Sequence, residues 1–179
     1  MIQSILCRKE VVMKNNTKKL TLLAMMITFA IILSYIESKI PAFVAIPGVK
    51  IGLANIVVIF VLFKLGIKEA IVISGVRVFI ISLLFGNPIS LIYSIAGAFL
   101  SLTVMFILKK LTPLKEVALS VVGGVMHNVG QIAVASLILE TNVLVYYLPF
   151  LILSGTIAGI AVGVAAALLI VKTKKLSFK

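Results

Sequence analysis

The stretch that decides the fold is "YLPFLILSGTIAGIAVGVAAALLIV", residues 147–171. It contains no charged side chain, and its one proline, Pro149, lies near its beginning, where a missing N–H costs a helix little. A helix needs about 20 predominantly apolar residues to cross the hydrocarbon of a bilayer. This stretch is therefore predicted to be a transmembrane helix.

The rest of the chain is similarly apolar. Of its 179 residues, 62% are hydrophobic, and the mean hydropathy is +1.28. A soluble domain of this size has no core large enough to hide so much apolar surface, whereas lipid covers the outside of a membrane protein. We therefore expect a membrane domain whose surface contacts lipid.

Six apolar runs are separated by short segments that are polar or contain proline and glycine. They cover residues of about 20–36, 51–65, 70–85, 89–108, 117–139 and 147–171. The second and third are short, and "KLGIKE" (64–69) between them predicts a tight turn joining antiparallel helices. No period-two alternation of the kind found in barrel strands is visible. The predicted fold class is an all-α integral membrane protein with six transmembrane helices.

The distribution of basic residues predicts the orientation of these helices. With a cytoplasmic N-terminus, only Lys39 and Lys50 fall in outer segments, and Arg77 lies within a helix. The inner segments then hold the other fourteen basic residues: Arg8, Lys9, Lys14, Lys18, Lys19, Lys64, Lys68, Lys109, Lys110, Lys115, Lys172, Lys174, Lys175 and Lys179. The positive-inside rule therefore places both termini in the cytoplasm of a multi-pass protein of the plasma membrane. The charge of +12 is explained without a nucleic-acid partner.

This orientation divides the chain into three parts. Residues 1–19 form a basic cytoplasmic segment, 20–171 form the six-helix membrane domain, and 172–179 form a basic cytoplasmic tail. Cys7 is the only cysteine and His127 the only histidine, and the chain has no aspartate. A disulfide within the chain is excluded, and neither a metal site nor a cofactor is predicted.

Arg77 is the most unusual residue of the predicted bundle. An arginine near the middle of the bilayer costs at least about 2.5 kcal/mol unless something solvates it, and a guanidinium does not lose its proton. Two interpretations stay open. Arg77 either reaches Glu37 and joins two helices, or it binds the carboxylate or phosphate of a ligand.

Other strongly polar side chains are predicted to lie in the middle and outer half of the bundle. In "GGVMHNVGQ" (123–131), His127 and Gln131 are four residues apart, so that they share one helical face. These groups either line a ligand cavity or form hydrogen bonds between helices. The candidate substrate-binding residues are Arg77, His127, Asn128, Gln131, Asn55, Tyr93, Glu37 and Lys50.

Two further features concern packing and access. Gly155, Gly159, Gly163 and Ala167 recur every four residues, which predicts close packing against a helix of this chain or of another subunit. The outer loop "SKIPAFVAIPGVK" (38–50) is largely apolar. It is either a lid over an outward cavity or a re-entrant segment packed on the bundle.

Several motifs together resemble one known family. "SYIESKIP", "GVKIGLANIVVIF", "GVRVFIISLLFG", "AGAFLSL" and "GGVMHNVGQ" are similar to the Gx transporter family, also labelled heptaprenyl diphosphate synthase component I. The resemblance covers about residues 20–171. The size and six-helix plan also resemble the substrate-binding S components of energy-coupling factor (ECF) transporters.

The ECF resemblance implies partners and a mode of action. Such S components bind a solute under their first external loop and dock a coupling subunit through small residues of their first helix. Here "AMMIT" (24–28) has Thr28 where the second alanine of that motif is usual. The implied partners are a transmembrane coupling subunit and an ATPase, because this chain has no phosphate-binding GxxxxGK[ST] loop.

The family label also suggests a synthase. The composition argues against synthase activity of this chain alone. Clustered carboxylates hold Mg²⁺ and diphosphate in prenyl diphosphate synthases, and this chain has no aspartate and no paired glutamates. We therefore expect no catalysis by this chain. Two functions stay open: uptake of a small anionic or zwitterionic solute, and a non-catalytic membrane role in isoprenoid or quinone metabolism.

Overall fold

A computed structural model describes residues 2–39, 52–85, 88–141 and 143–173 of the protein. Regular structure within these ranges is helical throughout, which confirms the all-α prediction. The helices are α1 (Ile2–Lys39), α2 (Asn55–Lys64), α3 (Ile67–Phe85), α4 (Pro88–Leu111), α5 (Glu116–Ile138) and α6 (Leu148–Lys172). A short 3-10 helix, Val143–Tyr147, precedes α6.

Two of the helices differ in extent from the apolar runs. α1 begins at Ile2 rather than near Leu20, so that the basic N-terminal segment continues directly into the first apolar helix. The first apolar run lies in the second half of α1, and the part of α1 that is apolar enough to cross a membrane is Thr17–Lys39. α2 begins at Asn55 and has ten residues, which is a length of about 15 Å.

Four helical segments are long and apolar enough to cross a membrane: Thr17–Lys39, Leu91–Leu111, Glu116–Ile138 and Val143–Lys172. α2 is not among them because it covers only about half of a hydrocarbon core of about 30 Å. α3 is about 28 Å long, but it carries three charged residues, Lys68, Glu69 and Arg77. The protein thus has the helices of a membrane protein, and six complete crossings stay a prediction.

α1 and α3 run in the same direction, whereas α5 runs opposite to α4 and to α6. Lys19 of α1 forms an ion pair with Glu69 near the start of α3. At the opposite end of the same two helices, the rings of Tyr35 and Phe85 are 5.3 Å apart. We call the end with the Lys19–Glu69 ion pair the Lys64 end. The opposite end is called the Glu37 end, and it holds the last residues of α1, α3 and α5.

Five helices, α1, α3, α4, α5 and α6, form an open ring around α2. α1 contacts α3, α3 contacts α4, α4 contacts α5, and α5 contacts α6. α2 lies inside this ring and contacts α1, α3, α5 and α6. Large apolar side chains such as Phe99, Leu111 and Leu137 lie on the outer surface and are more than two-thirds exposed, as expected for a surface that contacts lipid.

The short α2 fills the interior of the ring toward the Lys64 end. Its residues from Val57 to Leu62 are all buried, so that this helix is surrounded on every side. Its neighbours are apolar residues from the Lys64 half of four other helices: Ala70, Ile73, Leu102, Met105, Leu119 and Ala166.

The turn predicted at 64–69 is present and joins α2 to α3. Gly66 has φ of +134°, which a side chain would strain. The N–H groups of Leu65 and Gly66 both donate to the carbonyl of Val61, at 2.8 and 3.0 Å. These bonds satisfy the end of α2 and allow α3 to reverse direction within two residues.

The small residues of α6 pack against α5 of the same chain. A Cβ atom added to Gly159 would lie 2.6 Å from the Cα of Val121, and one added to Gly163 would lie 2.7 Å from the Cα of Val117. Gly155 opposes Gly124 in the same way. Of the two partners that the sequence left open, the structure shows the one within the chain.

Candidate polar cavity

The Glu37 half of the bundle contains a cavity of about 170 Å³. It lies where α2 has not yet begun, so that the ring encloses space instead of a central helix. Residues of all six helices line it. They are Ser34, Glu37, Ser38, Gly52, Asn55, Arg77, Val78, Ile81, Ser82, Phe85, Ser94, Ser120, Gly124, His127, Asn128, Gln131, Gly155, Ala158, Gly159 and Val162.

Arg77 brings a guanidinium to this cavity from the middle of α3. Its Nε atom is buried and has no hydrogen-bond partner in the part of the chain that the structure describes. Within those same residues the ion pair is Lys19–Glu69, and Arg77 forms none. Buried donors of native proteins nearly always have a partner, so that Nε of Arg77 calls for an acceptor beyond the residues that the structure describes.

Glu37 lines the same cavity from the end of α1. Its Oε1 atom accepts a hydrogen bond from the backbone N–H of Gly52. It interacts electrostatically with Arg77, yet the two groups do not form an ion pair. The interpretation in which Arg77 and Glu37 join two helices by direct pairing is therefore not what the structure shows.

Gly52 positions the beginning of α2 beside Glu37. Its φ of +74° lies in the left-handed region, which glycine adopts without steric cost. Its carbonyl accepts the N–H of Asn55 at 2.8 Å, and a Cβ atom added to Gly52 would lie 3.1 Å from Nδ2 of Asn55. The Glu37 carboxylate and the Asn55 amide are thus held on the same side of the cavity.

His127, Asn128 and Gln131 line the cavity from the centre and second half of α5. Asn128 donates through Nδ2 to the carbonyl of Leu151 at 2.8 Å, a bond that joins α5 to α6. Asn128 therefore has a structural hydrogen bond as well as its place at the cavity wall. His127 and Gln131 pack against α4, where a Cβ atom on Gly97 would lie 2.7 Å from the His127 carbonyl and 2.8 Å from Gln131 Cγ.

The cavity brings together six of the eight predicted binding residues: Glu37, Asn55, Arg77, His127, Asn128 and Gln131. Tyr93 is not among the lining residues, and its neighbour Ser94 is. Lys50 lies outside the described residues, as does most of the outer loop 38–50, which the sequence predicts to be either a lid or a re-entrant segment. Their roles in binding stay predictions.

Five serines were missed by the sequence reasoning: Ser34, Ser38, Ser82, Ser94 and Ser120. A signal for two of them was present. Ser34 and Glu37 are three residues apart on α1, and Ser120, Gly124, His127 and Gln131 follow each other at three- and four-residue spacing on α5. Side chains at these spacings share a helical face, so that helical periodicity connects these serines to residues already chosen.

The polar groups that line the cavity are one guanidinium, one carboxylate, one imidazole, amides and hydroxyls. No group of three or more His, Cys, Asp or Glu side chains that could hold a metal ion occurs among the described residues. The arrangement is suited to hydrogen-bonding and charge-pairing with a small polar molecule.

The architecture is that of a helical membrane protein with a polar cavity inside one half of the bundle. The family model described as heptaprenyl diphosphate synthase component I matches residues 26–169. The chain belongs to this family, as the motif resemblance indicated. Comparison with curated proteins and with solved structures finds no match.

Proposed function

We propose that the protein is the substrate-binding subunit of an uptake system in the plasma membrane, similar in role to an ECF S component. It crosses the membrane six times and captures a small anionic or zwitterionic solute from outside. A separate ATPase module supplies the energy. The observation that carries this proposal is Arg77, whose buried Nε has no partner among the described residues at the wall of a polar cavity.

The distribution of lysines supports the orientation. At the Lys64 end lie Lys18, Lys19, Lys64, Lys68, Lys109, Lys110, Lys115 and Lys172, whereas Lys39 is the basic residue of the Glu37 end within the described ranges. The positive-inside rule assigns the Lys64 end to the cytoplasm. The cavity then lies in the outer half of the protein, where a solute arrives.

Residues of the cavity have separate roles in this proposal. Arg77 binds the negative group of the solute with charge-assisted hydrogen bonds. Asn55, His127, Asn128 and Gln131 supply further hydrogen bonds. The chain performs no reaction and uses no cofactor in this role.

The proposal is tested by mass spectrometry of small molecules that co-purify with the protein in detergent. We expect a bound solute in the wild type and at least about a hundredfold less of it in Arg77→Ala, since two or more charged hydrogen bonds contribute about 3 kcal/mol or more. We expect about tenfold less in His127→Ala, which removes one hydrogen bond. Lys110→Ala is the matched control, because it removes one positive charge from an exposed position far from the cavity. Equal solute content in all four proteins, with unchanged melting temperatures, would refute the site.

A second candidate function is that of a non-catalytic membrane partner of a prenyl diphosphate synthase. The family description favours it, because a component I implies a further component. Affinity purification of the tagged full chain distinguishes the two. Recovery of ATPase and coupling subunits supports uptake, and recovery of a soluble prenyltransferase supports the second function.

A further inference from the structure

The cavity holds two opposite charges that do not neutralise each other directly. Arg77 and Glu37 both line it, and they interact electrostatically without forming an ion pair. Each also retains unused bonding capacity among the described residues. Nε of Arg77 has no partner, and the hydrogen bond found for Glu37 involves only its Oε1 atom.

Such an arrangement is costly when the cavity is empty of solute. The buried Nε of Arg77 loses hydration without gaining the attraction of a contact ion pair. A simple anion would satisfy Arg77 and would be repelled by Glu37. A simple cation would satisfy Glu37 and would be repelled by Arg77. A molecule with both charges satisfies both groups at once.

The size of the cavity limits the molecule. Its volume of about 170 Å³ is slightly larger than the roughly 150 Å³ of an engineered cavity that binds benzene. A ligand of roughly six to ten non-hydrogen atoms therefore fits. The neutral part of the wall is rich in hydroxyl and amide groups, including Ser82, Ser94 and Gln131, which favours a polar ligand.

We propose that the cavity binds a zwitterion of the size of an α-amino acid, with its carboxylate on Arg77 and its cationic nitrogen at Glu37. This inference rests on the proposed function, because it names the chemical class of the solute that the same cavity captures. The distance between the two charged side chains sets the specificity, since the molecule has to span from one to the other.

The test uses the full chain in detergent after extensive dialysis. Each of the twenty standard L-amino acids is added at about 1 mM, a concentration that detects binding with a weak or moderate Kd. The thermal unfolding midpoint is then measured. The amino acid with the largest stabilisation is then compared by calorimetry with its des-amino carboxylic acid and its decarboxylated amine. We expect each truncated analogue to bind at least about tenfold more weakly, because each loses one charge-assisted contact.

Two conservative variants make the assignment specific. Glu37→Gln keeps an oxygen that accepts the Gly52 N–H but loses the charge, so that it weakens amino-acid binding and strengthens binding of the carboxylic acid. Arg77→Gln weakens binding of the amino acid and of the carboxylic acid, and it strengthens binding of the amine. A purely structural role of either residue would change all three probes together, so the crossed pattern separates binding from folding.

Two outcomes overturn the inference. If the carboxylic acid binds the wild type as tightly as the amino acid, the site takes anions, and the proposed uptake function stands without the zwitterion. If no amino acid, acid or amine stabilises the protein, the zwitterion class is wrong. The proposed uptake function is refuted by a different result, namely that no small molecule co-purifies with the undialysed wild type.

Discussion

The two halves of the bundle are built by the same six helices and have opposite characters. Toward the Lys64 end the interior is filled by α2, whose residues Val57–Leu62 are buried among apolar neighbours. Toward the Glu37 end the interior is a cavity lined by an arginine, a glutamate, a histidine, amides and five serines. The boundary between the halves is Asn55, the first residue of α2.

One short helix, α2, therefore decides which half of the bundle can hold a ligand. A helix of ten residues spans about 15 Å, so that it occupies one half of the ring and leaves the other open. The packed half needs no polar groups because α2 satisfies its own backbone. The open half has polar side chains from α1, α2, α3, α4 and α5, and it is the half suited to a polar solute.

The largest expected effect comes from making the packed half polar. Ile59 is 1% exposed, and Ile59→Asn would place an amide without partners in an apolar core and remove packing. We expect a loss of roughly 4 kcal/mol in the free energy of unfolding, measured by denaturation in detergent. The matched control is Ser82→Ala in the cavity wall, which we expect to stay within about 0.5 kcal/mol of the wild type. An equal loss in both variants would show that the halves do not differ.

A smaller effect is expected where α4 touches α5 beside the cavity. Gly97→Val would bring a side chain to within 2.7 Å of the His127 carbonyl, so that the helices have to separate. We expect about 1–3 kcal/mol of destabilisation and a greater than tenfold loss of bound solute, because His127 and Gln131 shift with α5. Gly75→Ala is the control, since a Cβ atom there has nothing within 4 Å. Unchanged solute binding in Gly97→Val would show that this contact does not position the cavity wall.

Gly52 connects the cavity to the start of α2, and its substitution should have an effect of about 1 kcal/mol. Gly52→Ala forces an alanine into a φ of +74° and thereby disfavours the backbone that donates to Glu37. We expect a fall of a few degrees in melting temperature, measured in detergent, with a larger proportional loss of solute. A variant with wild-type stability and binding would mean that the turn tolerates a side chain.

The smallest effect concerns the Lys64 end itself. Lys64 donates through Nζ to the carbonyl of Thr173 at 3.0 Å, beside the end of α6. Lys64→Met would lose this bond and the favourable charge near a helix C-terminus, at a cost of about 0.5–1 kcal/mol. The control is Lys110→Met at an exposed site, and solute binding should be unchanged in both. A large loss of solute in Lys64→Met would show that the packed half affects the cavity.

Much of the site could be predicted, because an ionisable or amide side chain in an apolar helix is unusual and therefore visible. Arg77, His127 and Gln131 were found in this way, and six predicted residues share one cavity. Serines escaped because a hydroxyl in a membrane helix can bond to its own backbone and carries little information alone. Ser154, for example, donates to the carbonyl of Leu151 in its own helix at 3.1 Å.

The sequence by itself determined that the chain is a bundle of apolar helices, because hydropathy, proline positions and the glycine of the 64–69 turn act locally. It also determined that charged and amide groups would need partners inside the bundle. Only the tertiary structure decided that α6 packs on α5, that α2 fills one half of the ring, and that Arg77 and Glu37 share a cavity without pairing. These outcomes depend on distances between helices, which are set by the packing of residues far apart in the chain.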